Sequence, residues 1–349
     1  MSVLTIGEVV VDWFSLGEGD NFFESSFTAR IGGNATNVAV GLAKLGTNCR
    51  LVGKVGHDRS GLYLKQKIEQ AGVDASFVKV EPGLNTGHCY ITFAPGFDEL
   101  KAKGVTIEPG YYEWPRPHAA QLLNVGDITD ECFAGIKLIH LTGISLKDEP
   151  RCFAVHKAAQ MAKEKNILFS FDSSCPVFSQ VDKLDRYKEL LHLADIIKVN
   201  EFELGQWTDS QPTSLREIEI QAKRLMDMYQ PSCLVVTMGS NGCLINTEYG
   251  ISHLPALSMN TSPKHSIGAG DAFMAGFIHA LLDGIAKKSA LVLDSYITEA
   301  SCKLVDKLSL PFWSNCARLG NVTGALATRA LGACEAAASL LECEQFLVA

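Results

Sequence analysis

A glycine-containing turn near residue 270 holds an acid where phosphoryl transfer would need one. Asp271 follows Gly268, Ala269 and Gly270, and an apolar helical pattern continues from there. Backbone N–H groups at a helix start have no partner within the helix and, with the helix dipole, favour an anion. A carboxylate beside these amides could take a proton from an attacking hydroxyl while they hold the phosphoryl oxygens. An acid that merely favours the helix start is the alternative, which this segment alone leaves open.

The charge state of Asp271 can be estimated from its place in the first helical turn. The dipole there stabilises a carboxylate by roughly 0.3 to 1 kcal/mol, which is less than one pKa unit on a reference of about 3.9. The sequence therefore predicts that Asp271 is ionised at neutral pH.

A second polar group lies near the amino terminus. Gly32 and Gly33 precede an amphipathic helical pattern, and the absence of Cβ atoms would let a ligand approach their backbone. Asn37 in this pattern and Asp12, which follows the predicted strand Val3–Val11, could hydrogen-bond several hydroxyls of a polyol at once. A helix-start turn and a turn acid are the alternatives for these residues.

Two common nucleotide-binding motifs are missing from the sequence. It contains no G-x-x-x-x-G-K-[ST], and no G-x-G-x-x-G follows the first predicted strand. Walker-type and Rossmann-type binding are therefore disfavoured, so any nucleotide must be held in another way.

Short apolar runs alternate with amphipathic segments along the chain, which predicts an α/β fold. The predicted strands are Val3–Val11, Cys49–Val55, Lys137–Leu141, Ile167–Asp172, Ile196–Val199 and Cys233–Thr237. Repeated strand-then-helix order indicates a doubly wound, mainly parallel sheet with right-handed crossovers. Ligands in such sheets bind beyond the carboxyl ends of the strands.

Two stretches, about 13–30 and 85–117, interrupt this alternation. Thr, Phe, Tyr, Gly and Pro replace the helical period there, and more than thirty residues without structure would be unusual in a compact domain. We interpret both as strands outside the main sheet that form a small β-sheet lid on a single domain spanning 1–349.

Charge and composition exclude several classes of protein. Of 349 residues, 47% are hydrophobic, which excludes a disordered chain. The formal net charge is −8, which gives no general attraction to a phosphate backbone, so no nucleic-acid partner is expected.

Cysteine usage and the apolar segments predict a cytoplasmic protein. The eleven cysteines include no C-x-x-C pair and are interpreted as reduced thiols, and the start lacks a basic signal-peptide region. The most apolar window, Ile267–Ala286, contains Asp271, His279 and Asp283, so it is interpreted as a soluble helix and no membrane contact is expected.

Taken together, these segments resemble the ribokinase-like family of carbohydrate kinases, of the phosphofructokinase B type, over nearly the whole chain. Gly32-Gly33-x-x-x-Asn37 is similar to the first family signature, and Gly268-Ala-Gly-Asp271 to the second. Three further stretches between and after them carry the resemblance: Asn200-Glu-Phe-Glu203, Thr237-Met-Gly239-Ser-Asn-Gly242 and the helix that contains Asn321.

The resemblance implies a role for each of these positions. Asp271 would be the base, and Gly268, Ala269 and Gly270 the anion hole. The sugar would bind Asp12, Gly32, Gly33, Asn37 and a lid arginine, Arg116, for which a solvated loop charge is an equally good explanation. Asn200 and Glu203 would organise Mg²⁺ and the phosphates through water, since Mg²⁺ suits oxygen ligands and retained waters. Thr237, Gly239, Gly242 and Asn321 would border the ATP.

Three places depart from the family pattern. His265 and Ser266 stand where the family has an acid that shapes a monovalent-cation site, which puts activation by K⁺ in question. The stretch after Asp172 lacks the Asn and Arg of many fructokinase-like relatives, so Asp172 is either a site residue or only a strand-end acid. The tail Glu335–Ala349 carries no recognisable motif.

The expected activity is ATP-dependent phosphorylation of a primary hydroxyl of a small sugar or sugar acid, as in fructokinase or 2-keto-3-deoxygluconate kinase. A nucleoside kinase of the same fold and a sugar- or nucleotide-binding regulatory protein without turnover are the alternatives. A homodimer is expected through the lid, because its strands otherwise leave exposed edges.

Overall fold

Two β-sheets of unequal size organise the molecule, which we describe from a computed structural model. It describes residues 1–16, 25–93, 110–174, 184–259, 265–291 and 305–347. The first seven strands are β1 (Ser2–Ile6), β2 (Val10–Ser15), β3 (Phe27–Gly32), β4 (Asn48–Gly56), β5 (Val78–Glu81), β6 (Gly87–Thr92) and β7 (Gly110–Trp114). The other six are β8 (Ile136–Thr142), β9 (Leu168–Asp172), β10 (Ile196–Asn200), β11 (Cys233–Thr237), β12 (Cys243–Thr247) and β13 (Gly250–Leu254).

The large sheet has nine strands in the order β13-β12-β11-β10-β9-β8-β1-β4-β5. Pairing is parallel from β5 to β11 and antiparallel from β11 to β13. Alternate residues of one strand enter separate apolar clusters on opposite faces: Val235 belongs to one, and Leu234 and Val236 to the other. The doubly wound, mainly parallel α/β sheet predicted from the alternating pattern is confirmed.

Helices cover this sheet. They are α1 (Asn34–Lys44), α2 (Arg59–Gln70), α3 (Arg151–Glu164), α4 (Leu184–Leu193), α5 (Glu201–Trp207), α6 (Leu215–Tyr229), α7 (Ala269–Leu291), α8 (Leu310–Ala327), α9 (Ala333–Ala336) and α10 (Leu340–Leu347). Short 3-10 helices span Ala119–Leu122, Val125–Asp127, Asp130–Phe133, Gly143–Leu146 and Gly239–Asn241.

Helix α7 is apolar over most of its length. Its part Ala269–Lys288 is long and apolar enough to cross a bilayer by length and composition alone. Phe277 and Leu281 are fully buried, and the helix packs against α1 and α8. Its hydrophobicity therefore serves the protein core.

The prediction of one strand over Val3–Val11 is wrong. The ladder with β4 ends when the Gly7 amide donates to the Val52 carbonyl at 3.1 Å, and the chain then leaves the large sheet. The next strand, β2, belongs to the other sheet, so two short strands of different sheets share one apolar run. Asp12 consequently lies in the middle of a small-sheet strand.

The small sheet has four strands in the order β3-β2-β6-β7. Its strands fall within or next to the two stretches predicted to form a lid. The first stretch, 13–30, is slightly too short, because β2 begins at residue 10 and β3 ends at residue 32. Residues 17–24 and 94–109 of those stretches lie outside the described residues. In register across the sheet, Trp13 pairs with Ala29 and Tyr90, and Asp12 with Arg30 and Cys89, so these two sets occupy opposite faces.

Candidate active site

The centre of the site is a buried carboxyl at the start of α7. Asp271 is 5% exposed, and the Asn37 side-chain amide donates to its Oδ2 at 2.8 Å. The two residues are 234 positions apart in sequence, and α1 and α7 pack together to join them. The two segments singled out in the sequence thus meet at one hydrogen bond.

The ionisation state expected for Asp271 is corrected by the structure. Burial raises the pKa of this carboxyl to about 7, the Asn37 hydrogen bond and Lys198 oppose the rise, and Asp172 and Glu8 add to it. The sequence estimate considered only the helix dipole, whereas the loss of water around the carboxyl is the larger effect. A pKa near neutrality suits a group that must take up a proton in each turnover.

Not every backbone amide of the predicted anion hole is available in the glycine turn before Asp271. Gly268 has φ +78°, and a Cβ there would clash with the side chain of Ala333. The Ala269 amide donates to the Ser266 carbonyl at 3.1 Å, so it is already engaged. The amides of Gly270 and Asp271 belong to the first helical turn and have no acceptor within the helix.

A buried lysine beside this turn was missed by sequence reasoning. Lys198 on β10 is 4% exposed, and its Nζ lies 3.1 Å from both carboxylate oxygens of Asp172. A Cβ on Gly270 would lie 3.2 Å from Lys198 Nζ, so the ammonium group is adjacent to the helix start. The signal was present, since Lys198 is the one charged residue in the apolar run Ile196–Val199.

The charge of Lys198 is maintained by its acidic surroundings. Burial would lower its pKa, but the carboxylates of Asp172, Glu203 and Asp271 raise it above the usual value. Asp172, which the sequence left as either a site residue or a strand-end acid, is the direct partner of this cation at the carboxyl end of β9.

The predicted sugar-binding residues gather on the Asp12 face of the small sheet. A Cβ on Gly32 would clash with the Asp12 carboxyl. Gly33 has φ +99°, and a Cβ there would clash with the Glu8 carbonyl. Burial, together with the nearby carboxylates of Asp271, Glu335 and Glu8, raises the pKa of Asp12 to about 8. Asp12, Gly32, Gly33, Asn37 and Asp271 are thus brought together.

Glu8 and Glu335 are two acids of this group that the sequence did not identify. Glu8 forms an ion pair with buried Arg151 at 3.1 Å and accepts a hydrogen bond from Ser145 Oγ at 3.1 Å. Glu335 Oε1 accepts from the amide of Ile31 at 3.2 Å. The only sequence signal for Glu335 was its position three residues after Gly332, which is weak.

Asn200 and Glu203 cap a helix with each other. The Glu203 amide donates to Asn200 Oδ1 at 2.7 Å, and the Asn200 amide donates to Glu203 Oε2 at 2.8 Å. This capping box starts α5 at the carboxyl end of β10. No group of three His, Cys, Asp or Glu side chains among the residues described could hold a metal ion alone.

The predicted nucleotide residues lie at the neighbouring strand end. Thr237 ends β11 and is in register with Asn200, while Gly239 and Gly242 form the turn into β12. The Asn321 side chain on α8 donates to the Pro255 carbonyl at 3.0 Å, which ties α8 to the segment after β13. These four residues lie around the β11–β12 turn of the large sheet, where the Asn321 side chain is already used in a hydrogen bond to the backbone.

Arg116 and His265 are both engaged by neighbouring groups. Arg116 Nη2 lies 2.8 Å from Asp148 and 3.3 Å from Glu113, and its side chain is 46% exposed. His265 Nε2 makes a close hydrogen-bond contact with the Ala330 carbonyl, and its ring packs against Phe14. The imidazole supplies no fixed negative charge at the position where the family pattern led us to expect an acid.

Comparisons with known proteins agree with this arrangement. The family model described as "pfkB family carbohydrate kinase" matches residues 1–339. Fructokinase-1 of Zea mays is 28% identical over 338 residues, which cover 95% of this chain and 93% of that protein.

Solved structures show the same fold. A fructokinase from Vibrio cholerae O395 with fructose, ADP and calcium ion is 24% identical, with a TM-score of 0.76 and 99% and 98% of the two chains covered. A fructokinase with bound ATP from Xylella fastidiosa is 20% identical, with a TM-score of 0.79 and the same coverage. The ribokinase-like fold is thereby confirmed.

The match of the family model over almost the whole length agrees with the buried acid, the glycine turn and the two-sheet architecture. The protein is a phosphotransferase that acts on a sugar hydroxyl: the chain belongs to the pfkB family of carbohydrate kinases.

Proposed function

We propose that this protein transfers the terminal phosphoryl group of ATP to a primary hydroxyl of a neutral sugar, with fructose as the leading acceptor. The observation that carries the proposal is the buried Asp271 carboxyl, hydrogen-bonded by Asn37 at 2.8 Å beside the first-turn amides of α7 and the Lys198 ammonium. The relatives named fructokinase support the choice of acceptor.

Each group in this arrangement has a part in the transfer. Ionised Asp271 accepts the proton of the acceptor hydroxyl, whose oxygen forms the new bond to phosphorus while the bond to the ADP oxygen breaks. The amides of Gly270 and Asp271 and the Lys198 ammonium stabilise the charge on the transferring group, because the fold holds them in place before the reaction begins.

The polar side chains at the carboxyl end of β10 suit a Mg²⁺ ion that arrives bound to the nucleotide. Mg²⁺ usually keeps several waters and takes one or two carboxylates together with substrate phosphates, which agrees with a site that has no three-ligand cluster among the described residues. Asn200 and Glu203 would hold its waters at the end of β10, next to Thr237. When bound, the ion would neutralise phosphate charge.

The charges around the acceptor pocket favour a neutral sugar over a sugar acid. The carboxylates of Asp271, Glu335 and Glu8 all raise the pKa of Asp12, so all three lie within electrostatic reach of it. Arg116, the arginine expected to meet a carboxylate, is paired with Asp148 and Glu113. An anionic acceptor would therefore meet like charges, and the arginine expected to offset them is already paired with two acids.

An acceptor screen with ATP and Mg²⁺ tests the proposed function. We expect kcat/KM for fructose to exceed that for 2-keto-3-deoxygluconate by about 100-fold, because like-charge contacts cost several kcal/mol. ADP formation in a coupled assay is the measurement. A preference for the sugar acid or for nucleosides would contradict the proposal. Ligand-induced melting shifts without ADP formation would instead support a binding protein.

The small sheet supports the further proposal that it acts as a lid. Asp12 reaches the pocket from the middle of β2, so this sheet contributes directly to acceptor binding. Covering the pocket would exclude water and limit hydrolysis of ATP without an acceptor.

We also propose that two copies associate through the other face of this sheet. Trp13, Tyr90, Tyr112 and Trp114 lie there, and the last two are 51% and 69% exposed. Exposed aromatic surface on one face is typical of an interface.

Sedimentation velocity tests this association. We expect a dimer for the natural protein and a monomer for Trp114→Glu, because a charge would enter the aromatic face. Leu341→Glu, at an equally exposed site on α10, should stay dimeric. A monomeric natural protein at micromolar concentration would contradict the dimer.

The nine cysteines within the described part of the chain carry free thiols, and eight of them are buried. Free thiols persist in reducing compartments, which supports the proposal of a cytoplasmic protein.

A further inference from the structure

The segment that follows α8 is fixed against the acceptor pocket by side chains from two other elements. Lys44 Nζ at the end of α1 donates to the carbonyls of Cys334 at 2.9 Å and Ala337 at 3.0 Å. Arg30 Nε on β3 donates to the Leu331 carbonyl at 3.2 Å. These cations are satisfied by backbone oxygens of residues 330–337, which we call the C-terminal segment.

The same segment contacts the glycine turn and the sugar-binding strand. The Ile31 amide of β3 donates to Glu335 Oε1 at 3.2 Å. Ala333 occupies the space where Gly268 lacks a Cβ, so the turn and the segment fit closely. The position of the C-terminal segment is therefore determined by the elements that form the acceptor pocket.

Cys334 connects this segment to the base. Its side chain is 3% exposed, and Cys334 Sγ lies 3.3 Å from Asn37 Oδ1, to which the thiol donates. The other end of the same amide, Asn37 Nδ2, donates to Asp271 Oδ2 at 2.8 Å. Three buried side chains from α9, α1 and α7 thus form one chain of hydrogen bonds.

The direction of this chain follows from the donors and acceptors available. A carboxylate only accepts, so the amide must present its NH₂ group to Asp271. Its oxygen then faces a partner that must donate, and a thiol can do so, although weakly. With the amide reversed, its oxygen would face the carboxylate and the favourable bond to Asp271 would be lost.

We propose that Cys334 is a positioning residue for the transfer reaction: its thiol holds the Asn37 amide in the orientation that donates to Asp271. The C-terminal segment thereby completes the site. The catalytic consequence rests on the proposed function, in which Asp271 is the base, whereas the orientation of the amide can be measured independently of it.

Other charged groups also act on Asp271, so the effect of Cys334 must be separated from theirs. Asp172, Glu8 and Asp12 disfavour its ionised form, and Lys198 favours it. Glu335 acts on Asp12, whose pKa it raises. Substituting Cys334 changes no formal charge at neutral pH, because burial raises the pKa of its thiol far above the usual range.

The test compares Cys334→Ala, which removes the donor, with Cys334→Ser, which retains one. We expect Cys334→Ala to lower kcat by about three- to tenfold, because ionised Asp271 would lose the hydrogen bond from the Asn37 amide. The acidic limb of the kcat–pH profile should move to higher pH, and KM for ATP should not change. Cys334→Ser should stay within about twofold of the natural protein. Cys343→Ala, at another buried cysteine, is the matched control.

Titration of the Asp271 carboxyl by carbon-13 NMR provides a readout that needs no turnover. We expect an upward shift of its midpoint in Cys334→Ala and a midpoint near the natural value in Cys334→Ser. If Cys334→Ala does not fold, Cys334→Val, which also lacks a donor, replaces it in both measurements.

The outcomes separate the two proposals. A shifted titration in a protein that phosphorylates no acceptor would support the positioning and refute the proposed function. Normal kinase activity with an unchanged titration and pH profile in Cys334→Ala would refute the positioning role. Equal defects in Cys334→Ala and Cys343→Ala would also refute it, because they would indicate general loosening of the core.

Discussion

Replacing Asp271 with Asn is expected to lower kcat by about 10²- to 10⁴-fold, the range that a positioned general base contributes. Asn has the same shape but takes up no proton, so the acceptor hydroxyl would remain protonated as the phosphoryl group arrives. The KM for the sugar should change little, because Asp12 and Asn37 remain. Steady-state kinetics with fructose and ATP measure both constants.

A stability measurement distinguishes loss of the base from loss of the fold. The folded pKa of Asp271 is about 7 and the reference value is 3.8, so the folded state binds this proton more tightly. Its contribution to stability is fully present below pH 3.8 and is lost as pH rises through 7. The natural protein therefore holds an unfavourable buried carboxylate at pH 8, and Asp271→Asn should melt at the same or a higher temperature there, with the difference shrinking toward pH 5.

A matched substitution on the same helix completes this experiment. Asp283 on α7 is exposed and pairs with Lys287 at 2.7 Å, so Asp283→Asn should keep natural kinetics. An Asp271→Asn protein that folds and retains most of its kcat would remove Asp271 from the role of base. The same fall in kcat for Asp283→Asn would attribute the effect to α7 as a whole.

The fold could be predicted because its signals are periodic and local. Buried parallel strands appear as continuous apolar runs, and five of the six predicted runs match strands of the large sheet to within about a residue at each end. The run Val3–Val11 was misread, because an apolar run does not show where a chain passes from one sheet to another. That exchange depends on tertiary contacts around Gly7, including the Val52 carbonyl.

The site was predictable only where a short segment contains the whole signal. Asp271 was identified from the glycine turn that precedes it, and Asn37 from the glycine pair Gly32-Gly33. Lys198, Glu8 and Cys334 were missed, because each reaches its own partner only after distant segments come together. These partners are Asp172, Arg151 and Asn37, respectively. The charge of Asp271 was mispredicted for the same reason, since its burial depends on α1 and on residues 330–337.

Lys198→Met is the second substitution with a large expected effect. It removes a buried ammonium and leaves the Asp172 carboxylate, which is 1% exposed, without its partner at 3.1 Å. Breaking a buried ion pair costs about 3–5 kcal/mol of unfolding free energy. We also expect kcat to fall by about 10²- to 10³-fold, the cost of removing one fixed group that stabilises transition-state charge. Urea unfolding and steady-state kinetics measure the two effects separately.

The double variant Lys198→Met/Asp172→Asn separates stability from catalysis. Replacing both partners removes the orphaned charge, so most of the lost unfolding free energy should return. The kcat should stay low, because no cation then lies beside Gly270 and the first-turn amides. If kcat recovered together with stability, Lys198 would be a structural residue only, and the phosphoryl group would have to be stabilised by the amides and the nucleotide-bound ion.

Lys54→Met provides the control for burial of a lysine. Lys54 is 5% exposed and lies 3.1 Å from Asp127, which also pairs with Lys79 at 2.7 Å, so its loss leaves Asp127 with one cation. A milder loss of stability with natural kcat is expected. Since both lysines sit on strands of the large sheet, a difference in kcat between the two variants would arise from what surrounds Lys198: the start of α7 and the ends of β9 and β10, where ATP and the sugar are proposed to meet.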